Sequence, residues 1–443
     1  MGVGFFLVFF AFCTQAFIVE TVLENRSKKD PRISSNAGYY SQTIIYGAFI
    51  ISTMISPPII KFLTPKWSLV VGSSGYTLYM AGFLFINPYY LYISAFWEGL
   101  WAGALWTSLG HYLALNSTKE NIGRNSGIVW LIYTASYFAG GIFLLIVFGE
   151  KPDKGISMST TRILYGTFTV TAFLGNVTFA LLPGNSDKNI GNDQSLVKSN
   201  EQEDKSYWNE MKKSAYLLFT SDMMLLVFAF SYSGVENSFW SGVYPTSLSF
   251  TKKFKISTNK LIALNMIMNG SGEIIGGLAF GMFGHRTNKF GRYPIVVLGL
   301  FCGIIAYVIA FINVPGVASF RETEQVGIIH QPNIALALIG GFMLGLADAC
   351  INTQVYSIIS VYYPESTVQA NAINKFFHAI FSTVCMFYGS VLQMQYQLLI
   401  LLISHLLSTV GFIVAEIRFR NRAKIQDIIN EKHNLYTESI CKM

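Results

Sequence analysis

From residue 2 to residue 416 the chain is a succession of apolar runs, each about 20 residues long or longer, joined by polar segments that are short except for one near the middle. A hydrocarbon layer about 30 Å thick is crossed by about 20 helical residues at 1.5 Å each. Twelve such runs can be counted: 2–22, 39–62, 67–87, 90–115, 126–148, 161–182, 216–245, 260–283, 294–314, 333–361, 368–392 and 396–416. Lipid offers backbone N–H and C=O groups no hydrogen-bond partner, so each run must close its own bonds as a helix. Charged residues make up 12% of the chain, against about 25% in soluble domains. The expectation is an all-α membrane protein of twelve transmembrane helices in two six-helix repeats, with the bilayer as its first partner.

The polar stretch 183–213 separates the runs six and six and is too poor in apolar residues to form a core. This predicts an N-terminal half over 1–182, a cytoplasmic linker over 183–215, a C-terminal half over 216–416 and a basic tail over 417–443. The halves echo one another. Residues 69–87 and 295–313 both open on paired valines and close on Phe-Ile-Asn, and Gly99 and Gly103 are matched by Gly341 and Gly345. Small residues four apart let helices approach closely. The net charge of +7 sits in loops and tail, where it anchors a cytoplasmic face against anionic lipid and does not imply nucleic acid. The excess of Lys and Arg in the linker and tail places both termini inside. The tail itself can form a short basic amphipathic helix on the membrane surface. Four of the five cysteines lie in apolar runs, and no spacing suggests a metal or a disulfide framework. The first run lacks a basic leader, so it reads as a span, with a signal peptide as the alternative. Asn25, in Asn25-Arg26-Ser27, falls in the first outer loop and is a candidate glycosylation site.

Between the eighth and ninth runs stands a short basic loop, from Gly284 through Asn288 and Lys289 to Gly291 and Arg292. It resembles the loop signature of the major facilitator superfamily, with Asn288 where an Asp is usual. Longer strings narrow the likeness: GALWTSLGHYLALNS at 103–117, IGRNSGIVW at 122–130, ENSFWSGVY at 236–244, GEIIGG at 272–277 and GLADACINTQ at 345–354. Together they resemble the UNC ninety-three-like branch of that superfamily, in its major-facilitator domain-containing subgroup. The resemblance implies a twelve-helix facilitator fold, a gating role for the basic loop, and regulatory or escort duties toward other membrane proteins such as ion channels. It also implies sequence ahead of residue 1. Leu109, Thr134 and Gly141 stand where the family usually carries polar residues, which implies a reduced polar site in the N-terminal half.

Charges inside the runs are the candidate chemistry. Each costs about 2.5–3.5 kcal/mol near the bilayer centre unless paired or hydrated. Helical spacing aligns Asn265, Asn269 and Glu273 on one face, Asp348 with Asn352 on another, and Asn371, Lys375, His378 and Ser382 on a third. With Glu236 these form a predicted central-cavity network in which Lys375 pairs with Asp348 or Glu273. Such a pair is either a solute or proton site or a fixed clamp between helices. Glu98 and His111 are the deep polar groups of the N-terminal half. No nucleophile–base set, metal-spaced cluster or phosphate loop is visible in the aqueous segments, so the chain is expected to be neither an enzyme nor a cofactor carrier. The expected function is a regulatory or trafficking partner of another membrane protein such as an ion channel; the alternative is a secondary transporter of a small solute through a central cavity.

Overall fold

The computed structural model describes residues 1–117, 122–149, 156–184, 212–282 and 291–441. They form α1 (Gly2–Ser27), α2 (Ala37–Gly82), α3 (Pro88–Leu115), α4 (Ile122–Phe148), α5 (Met158–Ala180), α6 (Ser221–Ser238), α7 (Tyr244–Phe250), α8 (Thr258–Gly276), α9 (Tyr293–Asn313), α10 (Ile334–Tyr362), α11 (Thr367–Gly389) and α12 (Met394–Cys441). A short parallel bridge, Thr251 with Thr323, is the one piece of β pairing among these residues.

The count of spans corrects the sequence reading. Among the described residues eight helices are long and apolar enough to cross a membrane, or nine if Lys212–Leu218 and Ser221–Phe250, bent by 88°, form one span. Twelve apolar spans in two sets of six are not found among the described residues. The expected runs that drop out are 39–62, 90–115 and 368–392, which fall in α2, α3 and α11. All three are helical, but polar side chains dilute them, and in α2 and α11 some of those side chains are met by other helices. Gln42 donates to Gln15 at 3.4 Å, and His378 meets Ser233 at 3.0 Å. A window over the sequence records the polar atom without its partner.

Irregularities in the helices have identifiable causes. Within α2, Thr64 takes φ 66° and ψ 156°, breaking the run between two expected spans. Pro65 follows, and its ring drives the preceding residue out of the helical region. Between α6 and α7 the backbone widens into a π turn, Phe239–Val243, ahead of Pro245, whose missing N–H cannot bond the turn before it. A second π turn, Gly277–Met282, follows α8.

Close packing of backbones holds the bundle together. A Cβ added at Gly99 or Gly103 would collide with Ile45 or Ser52 of α2; one at Gly341 or Gly345 would collide with Asn265 or Asn269 of α8. The expectation drawn from those four glycines holds. Two N-terminal ends are closed by carboxylates from distant helices. Glu20 Oε2 accepts from Tyr39 N at 2.8 Å at the start of α2, and Glu416 accepts from Arg292 N and Tyr293 N at 2.6 and 2.7 Å at the start of α9. Each satisfies N–H groups that the helix itself leaves open.

One face of the molecule is clamped. Lys28, just past α1, bonds Glu322 at 2.6 Å and Glu24 at 2.9 Å, and Lys252 reaches Glu322 at 2.7 Å. Nearby, Thr21 donates to Ser249 at 2.9 Å, Tyr39 to Ser319 O at 2.6 Å and Asn36 to Ser390 O at 3.0 Å. These contacts tie α1 and α2 to the segments around α7, before α10 and after α11. Burial pushes the Glu322 carboxyl up, but hydrogen bonds from Lys252 and Lys28 outweigh it and the net shift is downward. Burial likewise lowers Lys28, while bonds to Glu322 and Glu24 carry it above its ordinary value.

The basic tail is no separate surface helix: α12 runs unbroken to Cys441. Arg418 and Arg422 on that helix engage Asp222 at the start of α6, the former at 3.7 Å. The expected linker falls largely on residues 185–211, outside the described residues.

Candidate functional site

Two polar layers lie between the helices that precede residue 183 and those that follow residue 215. The first is acidic. Asp348 on α10 is buried; Trp240 Nε1 donates to its Oδ1 at 3.2 Å and Asn352 Nδ2 to its Oδ2 at 2.9 Å. Trp240 can reach it because the π turn of residues 239–243 displaces that ring from a regular helical position. Glu273 on α8 is buried in the same layer, between Gly272, which packs on Phe342 and Leu346 of α10, and Gly276, which packs on Ala349. Glu236 on α6 is fully buried, and neither carboxyl oxygen has a hydrogen-bond partner among the described residues. A buried group left unmatched costs about 1–3 kcal/mol.

The second layer is basic and aromatic. The Lys375 ammonium on α11 lies 5.0 Å from the Trp106 ring centroid on α3 and 5.7 Å from that of Tyr356 on α10. It forms no ion pair with Asp348 or Glu273, contrary to the pairing expected from helical spacing, and no acceptor among the described residues meets its N–H groups. The reason is vertical: Asp348 and Tyr356 share α10 but stand about 12 Å apart along it, and the lysine reaches the lower level. Lys375 keeps exposed surface, so its cation–π contacts are worth about 0.5–1 kcal/mol each, less than the about 2.5–3.5 kcal/mol a charge costs near the bilayer centre. The rings alone leave the ammonium incompletely satisfied. Trp130 on α4 completes the box, stacked 6.0 Å from Trp106 and tilted against Tyr356 at 5.5 Å. From here a chain of rings, Tyr133 then Tyr137 then Trp240, climbs to Asp348; the two tyrosine hydroxyls are 2.6 Å apart.

His378, one turn from Lys375, turns toward α6, where its Nδ1 meets Ser233 Oγ at 3.0 Å; its ring lies edge-on to Tyr46. Ser382 donates to Gly234 O at 3.0 Å. The polar face of α11 is thus divided, with Lys375 facing the box and His378 and Ser382 fastening the helix to α6.

The remaining expected residues are placed as follows. Gly284, Asn288 and Lys289 of the basic loop lie outside the described residues. Gly291 takes φ +97°, a conformation glycine adopts without strain. Arg292 is buried, with Nε donating to Ser357 at 2.7 Å, Nη1 3.7 Å from Glu416, and its guanidinium over Tyr362. It locks α9, α10 and α12 together and does not face lipid. Asn25 sits in the last turn of α1, its amide donating to Thr21 O at 2.8 Å. Glu98 is fully buried beside Gly75, with both oxygens unmatched among the described residues, whereas His111 is exposed. Of the three departures from the family pattern, Thr134 bonds its own helix at Trp130 O, Leu109 packs on the core, and Gly141 lies against Ile267 of α8 with no room for a side chain. Sequence reasoning missed Glu20 and Glu416, each an acid within an apolar run, and the rings of Trp106, Trp130, Tyr356 and Trp240. The acids carried a usable signal in their position; the rings did not, because aromatic residues recur throughout the chain.

Residues 29–413 match the family described as "Ion channel regulatory protein UNC-93". The chain is 32% identical over 428 residues to the UNC93-like protein MFSD11 of Xenopus tropicalis, covering 94% of both chains. It is 21% identical over 400 residues to the human protein unc-93 homolog A, covering 82% of each. Among solved structures it resembles the Escherichia coli fucose:proton symporter FucP, with a TM-score of 0.58 at 13% identity over 95% of this chain and 97% of that one. At that identity the likeness concerns the fold alone. The groups of acids and histidines contain no metal-binding cluster among the described residues. An integral multi-pass membrane protein with a facilitator-like arrangement of helices, this chain belongs to the UNC-93 family.

Proposed function

We propose that the protein is a secondary transporter, carrying a small solute between its early and late helices past the Lys375 box and the Asp348–Glu273 pair. The observation that carries this reading is the unmatched Lys375 ammonium, held between Trp106 of α3 and Tyr356 of α10. A scaffold has no need to leave such a charge uncompensated, whereas a carrier needs a polar group that its cargo can satisfy. The fold likeness to a proton symporter supports the same direction. In this reading residues 183–215 form the link between the moving parts, and Gly284–Arg292 serves the inner gate.

The test is uptake by purified protein in liposomes with an imposed proton gradient, screened over small anions, cations and neutral solutes. Uptake that Asp348→Asn reduces at least about tenfold is expected, since the acid loses both charge and proton-carrying capacity. Absence of uptake for every solute sinks the reading. A second reading, a regulatory partner of an ion channel, is favoured by the description of the matched family. It gains if uptake is absent while the protein co-purifies stoichiometrically with a channel from its native membrane.

A further inference from the structure

We infer that the Lys375 box is a binding site for a small organic anion, one that presents a carboxylate to the ammonium and a flat or apolar body to Trp106, Trp130 and Tyr356. The inference deepens the transporter reading and rests on it for its physiological meaning, though not for the binding itself. Four observations support it. First, no acceptor among the described residues meets the ammonium although its side chain keeps exposed surface, and an ammonium donates only, so a solute that binds it must offer an acceptor. Second, the acids that could have neutralised it are placed elsewhere: Asp348 bonds Trp240 and Asn352, and Glu273 is buried in the same layer as Asp348.

Third, the box takes Trp106 and Trp130 from early helices and Tyr356 and Lys375 from late ones, at a common depth. Each stands about 9–14 Å from the end of its helix on the face that carries Met1. Fourth, all four side chains retain exposed surface although they lie between helices, so a small solute can reach them. The clamp of Lys28, Glu322 and Lys252 closes the opposite face, which leaves the Met1 face as the route of entry. A cationic solute would meet the ammonium head-on, and a neutral one would leave its charge unanswered.

Binding is to be measured by calorimetry on purified protein in nanodiscs of phosphatidylcholine, whose zwitterionic headgroups exclude an anionic lipid as the source of the signal. The probes are acetate, benzoate and indole-3-acetate, with benzylamine and benzyl alcohol as cationic and neutral counterparts. Saturable binding of at least one carboxylate is expected, with the flat acids tighter than acetate and benzylamine inert. Lys375→Met should weaken it at least about tenfold, and Lys375→Arg should restore most of it because the charge and donors are kept. Trp106→Leu should reduce the preference for benzoate over acetate, and it provides a second variant should Lys375→Met fail to fold. If no carboxylate binds, or if Lys375→Met binds as the unaltered protein does, the site is refuted. Carboxylate binding without liposome uptake would leave the site standing and remove the transporter reading. Uptake indifferent to Lys375→Met would do the reverse.

Discussion

Glu416 shows what a single buried acid can do when its surroundings are built for it. It accepts two backbone N–H bonds at the start of α9 and pairs with Arg292, which in turn holds Ser357 on α10. Removing one member of a buried pair strands the other, at a cost of about 3–5 kcal/mol. Glu416→Ala is therefore expected to lower the thermal unfolding midpoint of the detergent-solubilised protein by several degrees, with Glu416→Gln milder because an acceptor remains. An unchanged midpoint for the alanine variant would contradict the capping role. Glu236 is expected to behave oppositely. Its oxygens are unmatched among the described residues, so Glu236→Gln should leave the midpoint unchanged or raise it, since a neutral amide is cheaper to bury. A fall of several degrees would show that the carboxyl has a stabilising partner. The sequence distinguished neither case, because both residues are acids within apolar runs and only their neighbours differ.

Among elements, the α8–α10 contact is decided by glycines. Gly341 and Gly345 face Asn265 and Asn269, and Gly272 faces Phe342 O from the other side, so backbones meet with no side chain between. Gly345→Leu is expected to separate the two helices, pull Asp348 away from Glu273, and reduce folded yield on size-exclusion chromatography severalfold. A Cβ added at Gly277 would meet nothing within 4 Å, so Gly277→Ala should fold with normal yield. Equal yields for the two variants would show that the close approach is not structural. The glycine spacing was legible in the sequence because small residues four apart have one physical meaning in lipid. The π turns were less legible. Pro245 announces a break, but that Phe239–Val243 would widen and deliver Trp240 to Asp348 depends on α10 standing opposite.

At the scale of the whole molecule, one face is shut by ion pairs centred on Glu322. Its carboxyl titrates below the ordinary range, so the contribution to stability is fully present above the unfolded value of about 4.3 and is lost as pH falls through the lower folded value. Lys28 is shifted upward, so its share persists up to its unfolded value of about 10.4 and is lost only above that. The clamp should hold from about pH 5 to pH 10 and loosen in stronger acid. The thiol of a Thr21→Cys variant is expected to react slowly with a membrane-impermeant reagent at pH 7 and faster when Glu322→Gln is added. Lys28 is half exposed, so each pair is worth at most about 1 kcal/mol, and a modest, severalfold acceleration is expected. No acceleration would mean that the hydrogen bonds of Tyr39 and Asn36 close the face unaided.

The sequence by itself determined that this chain lives in lipid as a bundle of helices, that it belongs with the UNC-93 proteins, and that glycine pairs bring its helices together. Those properties follow from residue type and spacing along one chain, which local physics converts directly into helix, solvent preference and closeness of approach. It overcounted apolar spans, because polar residues dilute α2, α3 and α11, and those of α2 and α11 are answered in part by partners on other helices, as Gln42 and His378 are. Only the tertiary structure decided that Lys375 rests among rings rather than against an acid, and that Glu20 and Glu416 close distant helix ends. A charge in a medium that cannot solvate it is defined by whatever lies within a few ångströms, and that is set by how helices far apart in sequence are stacked.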